Sequence, residues 1–492
     1  MTRQHVLVIG AGIGGISAAT HLARAGMNVT VIEKDGQPGG RCGRFVRDGH
    51  RFDTGPTLFV MPLQYEAEFR SLGASLHDRL DLRRVDPSYH LVFDDGSQLA
   101  LTSDMGSMRS QLEAIEPGSF RGLQRYLREG HQHYELVVHK LVNRDFRRAS
   151  DFFNVQSLGL ALRVRPFVTH HRNMAAYFDA PRLKSAFTFQ DLYVGLTPFD
   201  APATFSMLPY SELAHGVWYP IGGMYSVVEA LMALALDAGV RFTFGSAVSR
   251  VTTKAHRATG VLLADGSEIE ADVVLANADL PYVYEHLLPD DGMAKALMRK
   301  QFSCSAISFL WGIDKTYDML GPHTLFLADD ARGNFKSIVR DMDIPANPSL
   351  YVHAPSRIDP SMAPLGQDTL TAIVPVGHLS DEGAQDWDAR RDLARQHVLR
   401  RLDTVGIHDI GAHIKFEEVY TPVDWAKRHN LVKGSTHGLS HKLTQMAYFR
   451  PSNRHRRFRN MYFVGASTHP GTGVPMAMVS GRLAAQRIIA ER

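Results

Sequence analysis

The sequence contains few cysteines and little net charge, and each shortage excludes a class of protein. Its two cysteines, Cys42 and Cys304, lie far apart and form no CxxC motif, which argues against a disulfide framework and against a dithiol redox centre. We interpret each as an inert buried thiol. A formal net charge of +3 over 492 residues leaves no large basic surface, so we expect no nucleic-acid partner.

Long hydrophobic runs are also missing. No stretch is apolar over the roughly eighteen residues that a membrane-spanning helix needs, and the chain enters an apolar strand pattern within its first few residues. We therefore expect neither a signal peptide nor a spanning helix, and a cytoplasmic location. Hydrophobic residues make up 44% and charged residues 21%, which is typical of a folded protein. The length predicts two domains, or one domain with a large insertion.

The first feature that is present is a glycine-rich junction between a strand and a helix. Residues 5–10 (HVLVIG) are apolar and β-branched like a buried parallel strand, and residues 15–26 have helical spacing. In this junction Gly10 permits a tight turn, Gly12 lets the backbone approach a pyrophosphate, and Gly15 lets the helix pack closely on the strand. The N-terminus of the helix then points at the phosphates of a dinucleotide.

An acidic residue at the end of the next strand narrows the choice of dinucleotide. Glu33 lies eighteen residues after Gly15, where a carboxylate accepts hydrogen bonds from ribose hydroxyls and disfavours a 2′-phosphate. The ordered series of strand, glycines, helix, strand and acid predicts a bound FAD or NAD, and excludes NADP.

Two further motifs follow at once, PGGR at 38–41 and FDTGPT at 52–57. The cationic fork of the arginine suits a diphosphate, with a turn that carries a solvated arginine as the alternative. The second motif is a glycine-bearing loop of the kind that lets the backbone approach a flat ring. NAD dehydrogenases do not need this pair of motifs, so the pair favours FAD. The residues that we expect at the cofactor here are Gly40, Arg41, Gly55, Pro56 and Thr57.

The middle and the end of the chain carry two more clusters. The middle one predicts a helix over 224–238, a strand over 240–244, a hairpin turning at Asp265 and Gly266, and a buried strand that ends at Asn277. The last one, 460–492, predicts a strand, a glycine loop with Gly465, Ala466 and Gly473, and a terminal helix. That helix starts near Val474 and Met476, so its positive end would face the pyrimidine side of a flavin. As an alternative, the strand and helix only close the sheet.

These motifs together make the chain resemble the bacterial and fungal carotenoid (phytoene) desaturases, which are FAD enzymes of the amine-oxidase-like group. The resemblance covers nearly the whole length and is carried also by the stretches 186–231, 351–364 and 463–481. It implies that Arg41 meets the diphosphate region and that the backbone around Val248 clasps the adenine side. At Ala466 and Ser467, where many amine oxidases have an acidic residue, the chain departs from them, which counts against amine oxidation.

The resemblance implies an α/β fold with a Rossmann-like FAD-binding domain of the glutathione-reductase and amine-oxidase type, assembled from discontinuous segments. We assign 1–70, 220–290 and 440–492 to this domain. The segments 71–219 and 291–439 are expected to form an inserted α+β substrate domain with a helical membrane-contact part.

The implied reaction converts phytoene into more conjugated carotenes of the neurosporene or lycopene type. Each step removes a hydride, which flavin accepts, and a proton. The implied partners are the lipophilic polyene, a membrane surface that the protein contacts peripherally, and quinone or oxygen as reoxidant. Alternatives are a C30 dehydrosqualene desaturase, a carotenoid 3,4-desaturase and, in a different class, a non-catalytic isoprenoid escort protein.

The catalytic residues stay unassigned at this level. Few polar ones are expected, because the substrate is a hydrocarbon and the protein mainly orients it and accepts a proton. Asp151 and Asp191 could accept that proton, and His469 lies beside the flavin loop. The adjacent histidines 170 and 171 are poorly spaced for a shared metal ion, and no metal is expected.

A membrane contact is expected at 152–178, which mixes aromatic and aliphatic residues with Arg163, Arg165 and Arg172. A substrate-domain helix packed on its core explains the same pattern equally well. The basic run at 450–460 is interpreted as a solvated loop, with lipid headgroups as the alternative partner.

Overall fold

The computed structural model describes residues 3–288, 290–381 and 385–492, and only the backbone of residues 155, 156, 158, 162 and 291. Within the described residues the strands are β1 His5–Ile9, β2 Asn28–Ile32, β3 Arg44–Arg47, β4 His50–Asp53, β5 Leu82–Val85, β6 Tyr89–Phe93, β7 Gln98–Leu101, β8 Val217–Pro220, β9 Arg241–Thr243, β10 Val248–Lys254, β11 Arg257–Leu263, β12 Glu268–Glu270, β13 Val273–Ala276, β14 Ser305–Ile313, β15 His323–Leu327, β16 Leu350–His353, β17 Asp368–Val376, β18 Ile414–Tyr420 and β19 Met461–Phe463.

In the described part of the chain the α-helices lie between and after these strands, with seven of them in one run between β7 and β8. They are α1 Ile13–Arg24, α2 Pro62–Ser71, α3 Met105–Ile115, α4 Ser119–Val137, α5 Ala149–Phe152, α6 Val155–Val164, α7 His170–Met174, α8 Pro181–Ala186, α9 Met207–His215, α10 Tyr225–Asp237, α11 Leu280–Tyr282, α12 Asp291–Met298, α13 Ala331–Val339, α14 Trp387–Asp403, α15 Ile410–His413, α16 Pro422–His429 and α17 Val474–Ala490. A 3₁₀ segment, Phe189–Val194, matters for the site below.

A parallel sheet of five strands, in the order β19-β13-β1-β2-β9, forms the centre of the first half of the molecule. Val6 and Val8 of β1 pack into the core that α1, α10 and α17 cover, whereas Leu7 and Ile9 pack into a core shared with the antiparallel sheet β10-β11-β12. Because both faces are covered, the HVLVI strand is apolar without alternation.

The second half is built on a seven-stranded sheet in the order β18-β14-β17-β16-β15-β6-β7. Adjacent strands in this sheet are antiparallel, except for β15 and β6, which are parallel to each other. All strands of the first sheet fall in the segments assigned to the FAD-binding domain, and all strands of the second fall in the segments between them. The domain boundaries themselves stay a prediction.

Local predictions in the middle cluster agree closely with the structure. The helix expected over 224–238 is α10, the strand expected over 240–244 is β9, and Asp265 and Gly266 turn between β11 and β12. The additional strand β10 pairs with β11 through a second, earlier turn that the sequence pattern did not reveal.

The segment 152–178 contains both exposed and buried apolar side chains. Phe153 is 60% exposed, whereas Met174 and Phe178 are fully buried in the core with α4 and α9. Met174 and Phe178 therefore pack on the core, as the alternative proposed, and membrane contact by exposed residues such as Phe153 and Phe167 (83% exposed) stays a prediction. The side chains at 155, 156, 158 and 162 lie outside the described part.

The basic run at 450–460 begins with a buried residue, which corrects its interpretation as a solvated loop. Arg450 is 3% exposed. Its Nε donates to the carbonyl of Thr468 (2.9 Å), and its Nη atoms donate to carbonyls of two separate segments. These further acceptors are Leu439, Ser440 and Gln445, each at 3.1 Å, and Ala466. All five N–H groups of the guanidinium are thus used to tie the 439–445 segment to the 466–468 loop.

We expect substitution of Arg450 by Met to destabilise the protein strongly. It leaves five carbonyl groups without their donor, and each buried unsatisfied group costs about 1–3 kcal/mol. Arg450→Lys keeps the charge but has fewer donors in a different geometry. We expect its unfolding temperature to lie between those of Arg450→Met and the native protein. Thermal unfolding of the FAD-loaded protein measures both.

The matched control is Arg456→Met, which removes an exposed arginine from the same run. If the Arg450 and Arg456 variants unfolded at the same temperature, the five-carbonyl tie would not contribute to stability.

Candidate functional site

The glycine junction after β1 lies at one end of a continuous cavity of about 590 Å³. Gly12 is the N-cap of α1 and provides no side chain to cap it, so the first N–H groups of the helix are free for an anion. Gly10 has φ +98°, which favours glycine. A Cβ on Gly15 would lie 2.2 Å from the carbonyl oxygen of Gly10, so Gly15 serves helix packing and does not line the cavity.

Glu33 follows β2 directly and also lines the cavity. Its carboxylate accepts hydrogen bonds from the backbone N–H groups of Ala11 (2.7 Å) and Asp35 (2.9 Å). Burial raises the pKa of Glu33, and the two N–H groups act in the opposite direction. The carboxylate is held rigidly beside the phosphate-binding turn, with lone pairs left for the hydroxyls of a ribose.

Arg41 lines the cavity beside Gly40 and the N-terminus of α1. Among the described residues its guanidinium donates one hydrogen bond, from Nη1 to the carbonyl of Thr436 (2.8 Å). Burial lowers the pKa of Arg41, and the charge of Asp279 acts in the opposite direction. A half-buried cation with most of its donors unused fits an anionic group in the cavity, such as the diphosphate of FAD.

The FDTGPT motif packs against the Arg41 loop, and Gly55, Pro56 and Thr57 all line the cavity. A Cβ on Gly55 would lie 1.8 Å from the carbonyl oxygen of Arg41, so this glycine is needed to pack one loop on the other. The Thr57 hydroxyl is hydrogen-bonded to Tyr351 OH (2.9 Å).

The aspartate of the same motif has a structural task. Both carboxylate oxygens of Asp53 accept hydrogen bonds, from the N–H groups of Met224 (2.8 Å) and Tyr225 (3.0 Å), and so stabilise the start of α10. Burial raises its pKa to about 7.

The remaining predicted cofactor residues meet the same cavity from two other chain segments. Val248 lies at the start of β10, and Gly473, with φ +110°, is the N-cap of α17. The first turn of α17 has no side-chain cap and faces the cavity, as the sequence predicted for a helix N-terminus near a flavin ring. The lining residues of these segments are Val248, Gly465, Ala466, Gly473, Val474 and Met476.

The other end of the cavity is apolar. It lies between α4, the Phe189–Val194 segment, α9 and the second sheet, and its lining includes Val137, Leu141, Phe189, Phe205, Met207 and Leu208. A site with a polar cradle at one end and aliphatic and aromatic walls at the other accommodates a cofactor and a hydrophobic substrate in contact.

Sequence reasoning missed Asp279, which also lines the cavity. Asp279 follows β13, accepts a hydrogen bond from Ser467 Oγ (2.6 Å), and has its pKa raised by burial. It places an acidic residue beside Ala466 and Ser467, where the chain lacks the acid of amine oxidases. The only sequence signal was its position just after a buried strand.

His469 lines the cavity and, among the described residues, neither of its buried ring nitrogens has a hydrogen-bond partner. Burial lowers its pKa to about 4, so the ring is neutral. Its ring lies edge-on to Phe146, with centroids 5.4 Å apart.

The two carboxylates considered as proton acceptors lie elsewhere. Asp151 is part of the short helix α5 and accepts hydrogen bonds from the N–H groups of Arg147 and Arg148. Asp191 is fully buried against His170 (2.9 Å) and does not line the cavity.

Cys42 and Cys304 are free and buried, and burial raises the pKa of both thiols, that of Cys304 to about 12. They are therefore protonated at neutral pH. In the part of the chain that the structure describes, no three His, Cys, Asp or Glu side chains are grouped to hold a metal ion.

Comparison with known proteins identifies the family. The model of flavin-containing amine oxidoreductases matches residues 13–489. The chain is 39% identical to a phytoene desaturase of Fusarium fujikuroi, over 99% of this chain and 89% of that protein. It is 39% identical to a zeta-carotene-forming phytoene desaturase of Myxococcus xanthus, over 99% and 94%.

A 4,4′-diapophytoene desaturase of Staphylococcus haemolyticus is 34% identical over 98% of both chains. Among solved structures, putrescine oxidase has a TM-score of 0.64 at 16% identity, over 99% of both chains, which supports the amine-oxidase type of α/β fold. The cofactor of the site is FAD, because the family is flavin-containing and the cradle fits its diphosphate and ribose. The chain belongs to the carotenoid (phytoene) desaturase family of the amine-oxidase-like flavoproteins.

Proposed function

We propose that the protein desaturates phytoene in carotenoid biosynthesis, by successive removal of a hydride and a proton from neighbouring carbons. The observation that carries the proposal is the single cavity that joins the FAD cradle to an apolar chamber. Relatives named as phytoene desaturases are 39% identical and the diapophytoene desaturase is 34% identical, which favours a C40 substrate over a C30 one.

Bound FAD supplies the hydride acceptor. The residues of the protein position the substrate and exclude water from the cavity. Apolar walls hold the polyene without polar contacts, so its orientation depends on shape, and the same walls keep nucleophiles away from the electron-poor carbons that hydride loss creates. The start of α17 stabilises negative charge at the pyrimidine end of the flavin.

A hydrocarbon substrate resides in lipid, and an aromatic surface beside the cavity suits contact with a bilayer. We define the aromatic patch as Phe152, Phe153, Tyr448 and Phe449, whose rings contact one another at centroid distances of 5.1–6.1 Å. Phe153 is 60% and Phe449 45% exposed. Exposed aromatic groups of this kind insert into the membrane interface.

A chain of ring contacts leads inward from the aromatic patch. Phe146 contacts Phe152 (5.4 Å) on one side and His469 (5.4 Å), which lines the cavity, on the other. We propose this as the route of the substrate from the bilayer. None of the helices among the described residues is long and apolar enough to cross a membrane, so the proposed contact is peripheral. Quinone in the bilayer, or oxygen, is the proposed reoxidant.

The substrate assignment is tested with purified protein, FAD and a quinone in liposomes that contain phytoene. We expect visible polyene absorbance to develop, because each new double bond extends the conjugated system. Parallel assays with dehydrosqualene and with a carotene that already has the lycopene chromophore test the C30 and 3,4-desaturase alternatives. If the FAD-loaded protein converts one of these and leaves phytoene unchanged, the assignment to phytoene is wrong. A protein that binds no FAD would favour the escort alternative.

Arg41→Ala is expected to weaken FAD binding by about 10- to 100-fold, because charge-assisted hydrogen bonds contribute roughly 1.5–3 kcal/mol. Arg41→Lys keeps the charge without the planar fork of donors. We expect its dissociation constant for FAD to lie between those of the native protein and Arg41→Ala. The control is Arg44→Ala, which removes a nearby arginine that pairs with Glu229 and does not line the cavity. Titration of apoprotein with FAD, followed by flavin fluorescence, measures the dissociation constants. Equal constants for the Arg41 and Arg44 variants would contradict the diphosphate contact.

The double variant Phe153→Ser and Phe449→Ser is expected to sediment with liposomes of phosphatidylcholine and phosphatidylglycerol at least tenfold less than the native protein. The reason is the loss of two apolar side chains, each of which contributes on the order of 1.5–3 kcal/mol when fully buried in the bilayer. FAD content should not change. The control Leu365→Ser removes a fully exposed apolar residue elsewhere on the surface. The aromatic patch is not the contact if both variants sediment alike.

A further inference from the structure

A buried carboxylate close to the cavity has no part in the cofactor cradle. Glu212, on α9, is 4% exposed. Its Oε1 accepts a hydrogen bond from Tyr89 OH (2.9 Å) and its Oε2 accepts one from Gln190 Nε2 (2.9 Å). Within the described residues both of these donors are neutral and no ion pair includes Glu212. A carboxylate buried without a cation is costly, so a structural role alone does not account for it well.

Glu212 is connected to the cavity by two phenol groups. The Tyr193 hydroxyl donates to the Tyr89 hydroxyl (2.8 Å), which in turn donates to Glu212. Tyr193 lines the cavity, between the apolar residues of the Phe189–Val194 segment. Three short hydrogen-bonded groups therefore lead from the cavity wall to a buried carboxylate.

This chain of groups lies beside the loop expected to meet the flavin ring. Thr57 is hydrogen-bonded to Tyr351 OH, which also bonds to His323 Nδ1 (2.7 Å). The ring of His323 lies 6.0 Å from that of Tyr89. The phenol chain and the FDTGPT loop are thus linked through Tyr351 and His323, and Tyr193, Thr57 and Tyr351 all line the cavity.

The surroundings of Glu212 make both of its protonation states accessible. Burial raises the pKa of Glu212 to about 7, while its hydrogen bonds from Gln190 and Tyr89 act in the opposite direction. The phenols around it belong to β6, to the Phe189–Val194 segment and, with Tyr126, to α4, and burial raises the pKa of each. His323 on β15 is kept neutral, because burial lowers its pKa well below the usual range. The other carboxylate near these phenols is Asp191, whose pKa is raised by burial, while His170, to which it bonds, acts in the opposite direction.

We propose that Tyr193, Tyr89 and Glu212 remove the proton released in each desaturation step. The inference rests on the proposed desaturase function. A substrate C–H bond gives its proton to the Tyr193 oxygen, and its electron pair becomes the new carbon–carbon double bond. The Tyr193 hydroxyl proton passes to Tyr89, and the Tyr89 proton passes to the Glu212 carboxylate. The hydride from the neighbouring carbon goes to FAD, so atoms and electrons balance.

The roles of the three residues differ. Tyr193 is the catalytic residue, since it faces the substrate, and Tyr89 and Glu212 act through it. His469 is the competing acceptor on the cavity wall. Its pKa near 4 makes it the weaker base, and among the described residues no hydrogen-bonded group leads the proton away from it.

The test is the anaerobic rate of flavin reduction by phytoene in liposomes, measured in a single turnover as a function of pH. In the native protein the rate should fall as the pH drops below about 7, because Glu212 must be ionised to accept a proton. Glu212→Gln and Tyr193→Phe should reduce FAD about 100-fold or more slowly, without a change in FAD affinity. Glu212→Gln should also lose the fall in rate at acid pH.

Asp191→Asn is the matched control, because it neutralises an equally buried carboxylate of the Phe189–Val194 segment that bonds to His170 and does not line the cavity. It should keep the native pH profile. Native rates and profiles in both Glu212→Gln and Tyr193→Phe overturn the proposal, as does a rate loss confined to His469→Asn. If Glu212→Gln does not fold, Tyr193→Phe, which leaves the Glu212 contacts intact, decides between these outcomes.

A second measurement separates this inference from the proposed function. An infrared carbonyl band of a protonated carboxyl group should titrate near neutral pH in the native FAD-loaded protein and be lost from Glu212→Gln, whereas the band of Asp53, whose pKa burial also raises to about 7, should be the same in both proteins. A native protein that shows this band but is not reduced by phytoene overturns the substrate assignment alone. Absence of the band from the native protein overturns the role of Glu212, whatever the substrate.

Discussion

The geometry of the site depends on the hydrogen bonds of one buried guanidinium. Arg450 holds carbonyl groups of the 439–445 segment and of the 466–468 loop at the same time. The first segment leads into the aromatic patch, and the second leads into α17, whose N-terminus faces the cavity. Backbone carbonyls at that depth need donors, and a single planar fork satisfies five of them. One side chain therefore ties the segment that precedes the aromatic patch to the loop that precedes α17.

Arg450 and Arg41 differ in how many of their guanidinium N–H groups are hydrogen-bonded within the protein. Arg450 uses all five N–H groups within the protein, and burial lowers its pKa to about 9. Arg41 is half-buried, and among the described residues it makes one hydrogen bond, to Thr436. Arg41 lines the cavity together with the start of α1, whose first N–H groups have no side-chain cap. Unpaired N–H groups on a cation away from water are costly unless an anion accepts their hydrogen bonds. Arg41 is therefore suited to bind an anionic ligand, whereas Arg450 supports the backbone.

Sequence reasoning succeeded where the determinants are local. The junction of β1 and α1, Glu33 and the start of α17 each follow from glycine conformation and helix ends within a few residues, and the structure brings these positions to one cavity. It failed for Arg450, which looks solvated because its neighbours in the run are basic and its acceptors are up to eighteen residues away. It also failed for Glu212, whose partners Tyr89 and Gln190 come from two other elements. Pairing across such distances leaves no periodic pattern in one sequence.

The apolar half of the cavity explains why the chemistry was so hard to locate in the sequence. A hydrocarbon offers no atom for a polar side chain to bind, so polar residues at the wall hydrogen-bond to one another. Thr57 with Tyr351, and Tyr193 with Tyr89, are pairs of this kind. Self-satisfied hydroxyl pairs cost little to bury and do not attack an electron-poor carbon as water would. The same property leaves them able to pass a proton, because each hydroxyl both donates and accepts.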